Sequence, residues 1–397
     1  MNSTCTSQTP FRKCESMRFR VKLQMTDFLK RFKLQYPIIQ APMAGASTIE
    51  LASTVTRLGG LGSIPLGSFS ENPEGIVKKM KEYEGLVGTD RSRVVNLNFF
   101  AHEEAKRDDK KEGEWIKKYQ KIYKNGGLKW DESATEMKLL YPTFQSITSA
   151  SDEVVQTLVD LKPEIVSFHF GIPHHSVVGA LQDAGISVFI SATDVEEFKL
   201  CYEAGVDGVI LQSWEAGGHR GNFKANDVQD SKLGTEELVD SVLKYIIDSK
   251  IENPPYLIAA GGIHSSAQIK KYLDKGVAAV QLGTVWLPTT QCTISAKHLE
   301  YIQNPQGAGT LMSPSISGRN LRTIETPFLR ELTETADVDE IPDYPLPYDS
   351  FKRLVSDAKE TARNGEYSAF LAGSSYDKSW KGTRDAENVF KDLVSEL

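Results

Sequence analysis

The chain has 397 residues, 40% of them hydrophobic and 25% charged, with a formal net charge of -7. That length holds one large barrel or two to three ordinary domains, and an acidic balance without a concentrated basic face argues against nucleic acid or an anionic membrane as partner. No apolar run reaches the roughly 20 residues that span a bilayer, and Cys5, Cys14, Cys201 and Cys292 lack the spacing of a zinc or redox motif, as expected of reduced intracellular thiols.

The first 24 residues carry Arg12, Lys13, Arg18, Arg20 and Lys22 against one acid, Glu15, among several Ser and Thr. Without a secretory apolar core this reads as an organellar presequence or as a disordered extension, with Met17 and Met25 as alternative starts. The expected compartment is therefore cytoplasmic, with mitochondrial as the alternative. Ordered structure is predicted from near Thr26, where residues 27–32 form a short amphipathic turn.

Residues 36–43 are an extended apolar strand stopped by Pro42, and Ser47 and Thr48 then cap a helix over 49–58. Residues 61–65 read as a second strand with a helix over 72–83, and 93–100 as a third strand. Residues 101–142 become charged and low in β-branched residues, which predicts a solvent-facing, partly helical insertion. From a helix over 152–161 onward, strands alternate with helices: 165–171, 188–192, 208–212, 256–260 and 278–282 are strands four to eight, separated by helical spacing over 176–183, 195–203, 235–249 and 266–275. Eight strand-helix units over 25–300 predict a (β/α)8 TIM barrel. The rival doubly wound sheet would carry a Gly-rich dinucleotide fingerprint after strand one, and Pro42-Met43-Ala44-Gly45 is not that pattern. After Trp286 the alternation ceases. Residues 301–397, with Pro342, Pro345 and Pro347 ahead of a helix over 349–363, read as a helical appendage packed on the barrel.

In parallel barrels chemistry sits at the carboxyl ends of the strands. Strand six runs there into Gln212-Ser-Trp-Glu-Ala-Gly217-Gly218-His219, where glycines let backbone approach a ligand and the imidazole suits proton transfer near neutral pH. For an isolated Gly-Gly-His a turn histidine is the favoured reading; the loops that follow reverse that preference. Ala260-Gly261-Gly262 ends strand seven, and Gln281-Leu282-Gly283-Thr284 ends strand eight. Their glycines let amides converge, and Thr284 adds a hydroxyl, so both loops together point to a phosphate-bearing ligand rather than tight turns alone. Gln40, Asn96, Asn98 and Gln212 end strands one, three and six; they suit a heterocycle with mixed polar edges, or they satisfy loop backbone. His169 lies between Phe168 and Phe170 on strand four, either lining the site or packed and hydrogen-bonded. The other histidines, His102, His174, His175, His264 and His298, read as ordinary loop or surface residues, and no spacing resembles a metal site. Tyr344, Tyr348 and Lys352 repeat every four residues; from spacing alone they form a stripe that docks the appendage, with pocket closure and anion attraction as the functional alternative.

Gln40-Ala-Pro-Met-Ala-Gly-Ala-Ser47, residues 212–221, Ala259-Ala-Gly-Gly-Ile263 and Gln281-Leu-Gly-Thr284, in this order, resemble the nitronate monooxygenases, once called 2-nitropropane dioxygenases. Asn96-Leu-Asn-Phe-Phe100, Ser167-Phe-His-Phe-Gly171 and Tyr344-Pro-Leu-Pro-Tyr348 extend the resemblance to the yeast and fungal class I enzymes from about Met25 onward. The resemblance implies non-covalent FMN held by Met43, Ala44, Gly45, Asn96, Gln212, Gly217, Gly262, Gln281, Leu282, Gly283 and Thr284, with Gly218 and Gly261 beside them. It assigns His219 as the catalytic histidine and Tyr344, Tyr348 and Lys352, with His169, to the substrate pocket. It implies that alkyl nitronates such as propionate 3-nitronate, and with them nitroalkanes, are oxidised by O2 through a flavin semiquinone to a carbonyl compound with nitrite or nitrate. A homodimer is left open. One departure, Ser213-Trp214 in place of a small Gly-containing pair, bears on pocket volume and substrate size. The rivals are an FMN-dependent enoyl-acyl-carrier-protein reductase, which would consume reduced nicotinamide, and a flavin-binding protein without turnover.

Overall fold

The computed structural model describes residues 24–69, 72–225, 229–305 and 307–397. The predicted N-terminal extension lies, up to residue 23, outside them. Among the described residues eleven strands follow in chain order: β1 (Ile38–Gln40), β2 (Gly62–Pro65), β3 (Val95–Phe100), β4 (Ile165–His169), β5 (Ser187–Ala192), β6 (Gly208–Gln212), β7 (Gly218–His219), β8 (Tyr256–Ala260), β9 (Ala279–Leu282), β10 (Thr310–Ser313) and β11 (Leu321–Ile324). Eight of them form one parallel sheet in the order β1-β9-β8-β6-β5-β4-β3-β2. A parallel bridge between Ile39 and Leu61 brings its two edges together, so the predicted TIM barrel is present.

The alternation along each strand sorts side chains into two layers. Val95, Leu97 and Phe99 of β3 and Val166 and Phe168 of β4 face out into the layer shared with the helices. Ile39, Leu61, Ile165, Phe189, Ile210 and Ile258 face in at the lower end of the barrel. Higher up, the inward positions turn polar: Ser167, Ser191, Gln212 and Gln281 take the same side of their strands two residues further on, His169 four, and Asn98 pairs beside Ser167. An apolar plug thus supports a polar floor. Phe28, on a helix over 24–31, and Phe32, in the turn that ends it, close the lower end with both rings fully buried against Phe189 and Tyr256. Each such ring contributes about 1.5–3 kcal/mol by burial.

The eighth barrel helix is not where the alternation in sequence would put it. Ala386–Leu393, close to the C-terminus, buries Ala386, Val389, Phe390 and Leu393 against the helices Ile49–Arg57 and Ser266–Lys275 that follow β1 and β8. Phe390 meets Tyr36 and Trp286 at ring separations of 5.6 and 6.4 Å. About a hundred residues are therefore threaded between β9 and its helix.

Those residues also correct two expectations. The insertion is not solvent-facing throughout: its helix Asp109–Gly126 carries Trp115, Tyr119 and Tyr123 at four-residue spacing, all buried in one cluster with Ile316, Leu321, Leu346 and Leu354 of the appendage. High charge on the remaining positions hid a single aromatic face. Nor is the appendage wholly helical. β10 and β11 pair antiparallel, and β11 pairs with β7, so that Leu321 stands opposite His219. The proline-rich segment becomes helical earlier than predicted, at Leu346–Ala358, because a proline in the first turn forfeits no hydrogen bond. Among the described residues no helix is long and apolar enough to cross a membrane, and Cys201 and Cys292 are free thiols.

Candidate active site

The carboxyl ends of the barrel strands and the appendage enclose one cavity of about 780 Å3. Met43, Ala44, Gly45, Gln212, Gly217, Gly218, Gly261, Gly262, Gln281, Gly283, Thr284, His169, His219, Tyr344, Tyr348 and Lys352 all line it. Segments more than three hundred residues apart are brought together, and volume and enclosure suit a cofactor with a small substrate. Two predicted residues do not line it. Asn96 lies one layer beneath the floor, where its amide donates to Ser63 Oγ at 3.0 Å, and Asn98, two residues on, takes the lining position. Leu282 faces outward into the helix layer. Alternation along a strand decides both cases.

His219 is fixed from three sides. Its carbonyl accepts from Gln212 Nε2 at 2.9 Å and pairs with His169 Nε2 at 3.2 Å, and its own Nε2 lies 2.9 Å from Ser317 Oγ. Gln212 also accepts from the Gly221 N–H at 2.7 Å, so this amide organises the loop that carries the histidine as well as lining the cavity. His169 both lines the cavity and is hydrogen-bonded: facing a carbonyl, its Nε2 carries the proton, which leaves Nδ1 to accept from Ser191 Oγ at 2.9 Å. The next residue after His219, Arg220, is buried and holds Asp230 at 2.7 Å together with the carbonyls of Gln212 and Thr193.

Burial pushes the His219 imidazole down to about 3, helped by the neighbouring His169 and Arg319, and burial likewise pushes His169 down to about 4. Both rings are neutral at physiological pH. His102, expected as an ordinary loop or surface residue, lies in a loop but is buried beneath Tyr344 with ring centroids 4.8 Å apart and is pushed down to about 3 by its desolvation. His298, expected likewise as a loop or surface residue, sits in the helix Ala296–Gln303, is only 8% exposed and lines the cavity; His264 lines it as well. Tyr344 covers His102 and Phe370 stands against His298, and neither contact is visible in local sequence.

Tyr344, Tyr348 and Lys352 converge as a wall above His219, with the two phenol rings 5.5 and 6.0 Å from the imidazole. Lys352 Nζ donates to Tyr141 Oη at 2.5 Å and lies 4.7 Å from the ring centroids of both Tyr141 and Tyr348. Tyr141, from the insertion, was not singled out by the sequence. A second, open depression of about 790 Å3 shares Ser68, Tyr141 and Lys352 with the cavity, so this ammonium stands where the cavity meets solvent. Among the described residues no Asp or Glu lines the cavity, and Lys352 is the one formal charge on its wall.

The loops after β6, β8 and β9 suit a phosphate-bearing ring ligand. Gly261 and Gly262 have φ of 117° and 65°, a region that other residues avoid. Gln281 points a buried Oε1 that has no partner in the protein, an acceptor left for a ligand donor. Gly217, which lines the cavity, has a packing reason to be glycine as well. A Cβ there would lie 2.4 Å from the Ala372 carbonyl carbon and 2.5 Å from the Gly373 nitrogen, so the backbone it admits is the chain's own. That strap is tied down by the Gly373 N–H donating to Thr284 Oγ1 at 2.9 Å and the Ser374 N–H to Glu215 O at 3.0 Å. The Thr284 hydroxyl keeps its proton free to donate toward a phosphate. Ser213 and Trp214 do not line the cavity; the indole lies under Arg220, Lys232 and Arg322, so neither side chain of this departure from the family pattern forms part of the cavity wall. Among the described residues no cluster of His, Cys, Asp and Glu could hold a metal ion.

Residues 25–396 match the family model described as nitronate monooxygenase. A nitronate monooxygenase of Pseudomonas aeruginosa is 34% identical over 375 residues, which cover 94% of this chain and 99% of that protein. A putative nitronate monooxygenase of Saccharomyces cerevisiae is 34% identical over 354 residues, covering 84% and 85% respectively. Among solved structures, a nitroalkane oxidase from Streptomyces ansochromogenes superposes with a TM-score of 0.75 at 27% identity, covering 94% of this chain and 97% of that one. FabK from Thermotoga maritima superposes with a TM-score of 0.65 at 20% identity, covering 93% and 95%, a likeness of fold alone.

Proposed function

The chain belongs to the nitronate monooxygenase family, and from that premise we propose that it is an FMN-dependent oxidoreductase that denitrifies alkyl nitronates with O2, propionate 3-nitronate being the expected physiological substrate. One observation carries the choice of substrate class: a cavity with no carboxylate on its wall, neutral imidazoles within it and an ammonium at its mouth favours a small anion. A nitronate is that anion, and the carboxylate of propionate 3-nitronate gives Lys352 a second group to hold.

The bound flavin supplies the electron acceptor that no side chain here provides. Gly261, Gly262, Gly283 and Thr284 would hold its phosphate, and Gln281 with the Met43 to Gly45 loop its ring. Everything else falls to the polypeptide. Tyr344 and Tyr348 shed water from the space above His219, and Lys352 draws the anion in from the open depression. With its proton affinity lowered to about 3, His219 is a weak base and a good neutral hydrogen-bond partner. It thus orients a substrate that arrives already ionised, and it removes an α-proton from a neutral nitroalkane only slowly. The binding of nitronate and cofactor in one dry enclosure accounts for the positional part of catalysis.

Anaerobic mixing of the purified protein with propionate 3-nitronate, followed by flavin absorbance, tests this reading. Loss of the oxidised flavin band, nitrite on readmission of air, and no consumption of reduced nicotinamide are expected. A protein that takes up FMN but leaves it oxidised under nitronate would overturn it, and consumption of NADH or NADPH with an enoyl thioester would favour the reductase.

A further inference from the structure

The appendage stores one more charge beside the site. Arg319 is 2% exposed; its Nη1 donates to Asn222 O at 2.7 Å and its Nη2 to Phe223 O at 3.1 Å. Its guanidinium lies 4.7 Å from the Phe170 ring centroid and 5.9 Å from that of Tyr344. Those same rings stand 5.6 and 5.5 Å from the His219 ring, so a single aromatic layer separates the cation from the imidazole. Phe170 is held there at φ 78°, a conformation that non-glycine residues rarely adopt and that persists where surroundings impose it.

Among the described residues no carboxylate lies within ion-pairing distance of Arg319. The acids that face it are Glu103 and Asp343 at the surface and Glu197, whose oxygens already accept from Thr193 and from the Phe223 N–H. The other titratable groups around it, His102, His169, His219 and Tyr344, are neutral. A buried charge without a partner is costly, and two backbone carbonyls could be satisfied by a neutral amide. Hydrogen bonding therefore explains a donor at this position but not its charge. Burial lowers the guanidinium only to about 10, so the charge persists.

We propose that Arg319 is a specificity-determining residue: its unpaired charge, projected through the Phe170 and Tyr344 wall, makes the cavity prefer an anionic ligand over a neutral one of the same shape. The role rests on the nitronate reading above for its physiological substrate, though not for its measurement. In a water-poor wall the field is weakly screened, and it adds to that of Lys352 at the mouth.

The test uses the full-length protein with cofactor and two probes whose binding is followed by flavin absorbance: nitrate, a planar monoanion, and nitroethane, its neutral counterpart. Wild type binds nitrate more tightly. Arg319→Gln keeps a donor for the two carbonyls and loses about tenfold in nitrate affinity relative to nitroethane, equivalent to about 1.4 kcal/mol. Arg319→Lys keeps the wild-type ratio. Equal losses for both probes in Arg319→Gln, or the same ratio in the Gln and Lys variants, would reduce Arg319 to a packing residue. Should Arg319→Gln fail to fold, Lys352→Met decides: a preference for nitrate that survives loss of Lys352 supports the buried charge, and its disappearance refutes it. If wild type shows the preference yet nitronate leaves the flavin oxidised, the proposed function falls and the role of Arg319 stands.

Discussion

Four histidines held neutral inside the fold make it acid-labile in a way that can be counted. His102 and His219 are pushed down to about 3, and His169 and His298 to about 4, in each case first by burial. In the unfolded chain all four titrate near 6.5. A depressed folded value means that the stability is fully present above the unfolded value and is lost as pH falls from about 6.5 toward 4. Glu197 works the other way: burial raises it to about 7, so the native state holds a proton that the unfolded state lacks until pH falls below about 4.5. Between pH 6 and 4.5 unfolding thus takes up four protons and releases one, a net of about three. At about 1.4 kcal/mol per proton per pH unit, stability should fall by roughly 4 kcal/mol per pH unit. Urea melts at pH 7.5, 6.0, 5.5 and 5.0 measure this directly, and His298→Gln should lower the slope by about one proton. A free energy that stays level between pH 7 and 5, or an unchanged slope in that variant, would show that these rings are protonated in the folded protein.

Gly217→Ala should destabilise by about 1–3 kcal/mol, since the added carbon meets backbone rather than a movable side chain; thermal melts and flavin retention would read it, and unchanged values would mean that the strap is not seated. His219→Asn should keep the flavin and slow turnover of neutral nitroalkanes more than that of preformed nitronates, as stopped-flow traces with both substrates would show; equal effects would remove the proton-transfer role. Lys352→Met should raise KM for propionate 3-nitronate about tenfold with a smaller change in kcat, because an ammonium at the mouth acts on capture. A change confined to kcat would place that ammonium on the reaction instead.

Local patterning determined the barrel. A repeat of β-branched strand, glycine turn and amphipathic helix leaves few alternatives for burying strands on both faces, and the same repeat put Gly261, Gly262, Gly283 and His219 at strand ends, where the cavity lies. Sequence also carried the family through short motifs that hold their order along the chain. Only the tertiary structure decided what completes the site. Asn98 rather than Asn96 reaches the cavity because the pleat gives each strand position one face. Tyr141, Ser317, Arg319 and the strap at Ala372–Gly373 arrive from an insertion and an appendage whose contacts span one hundred to two hundred residues, and no local period encodes such a meeting. The neutrality of His219 belongs to the same class: a proton affinity is set by the water excluded and the charges gathered around a ring, and both exist only once the chain has closed over it.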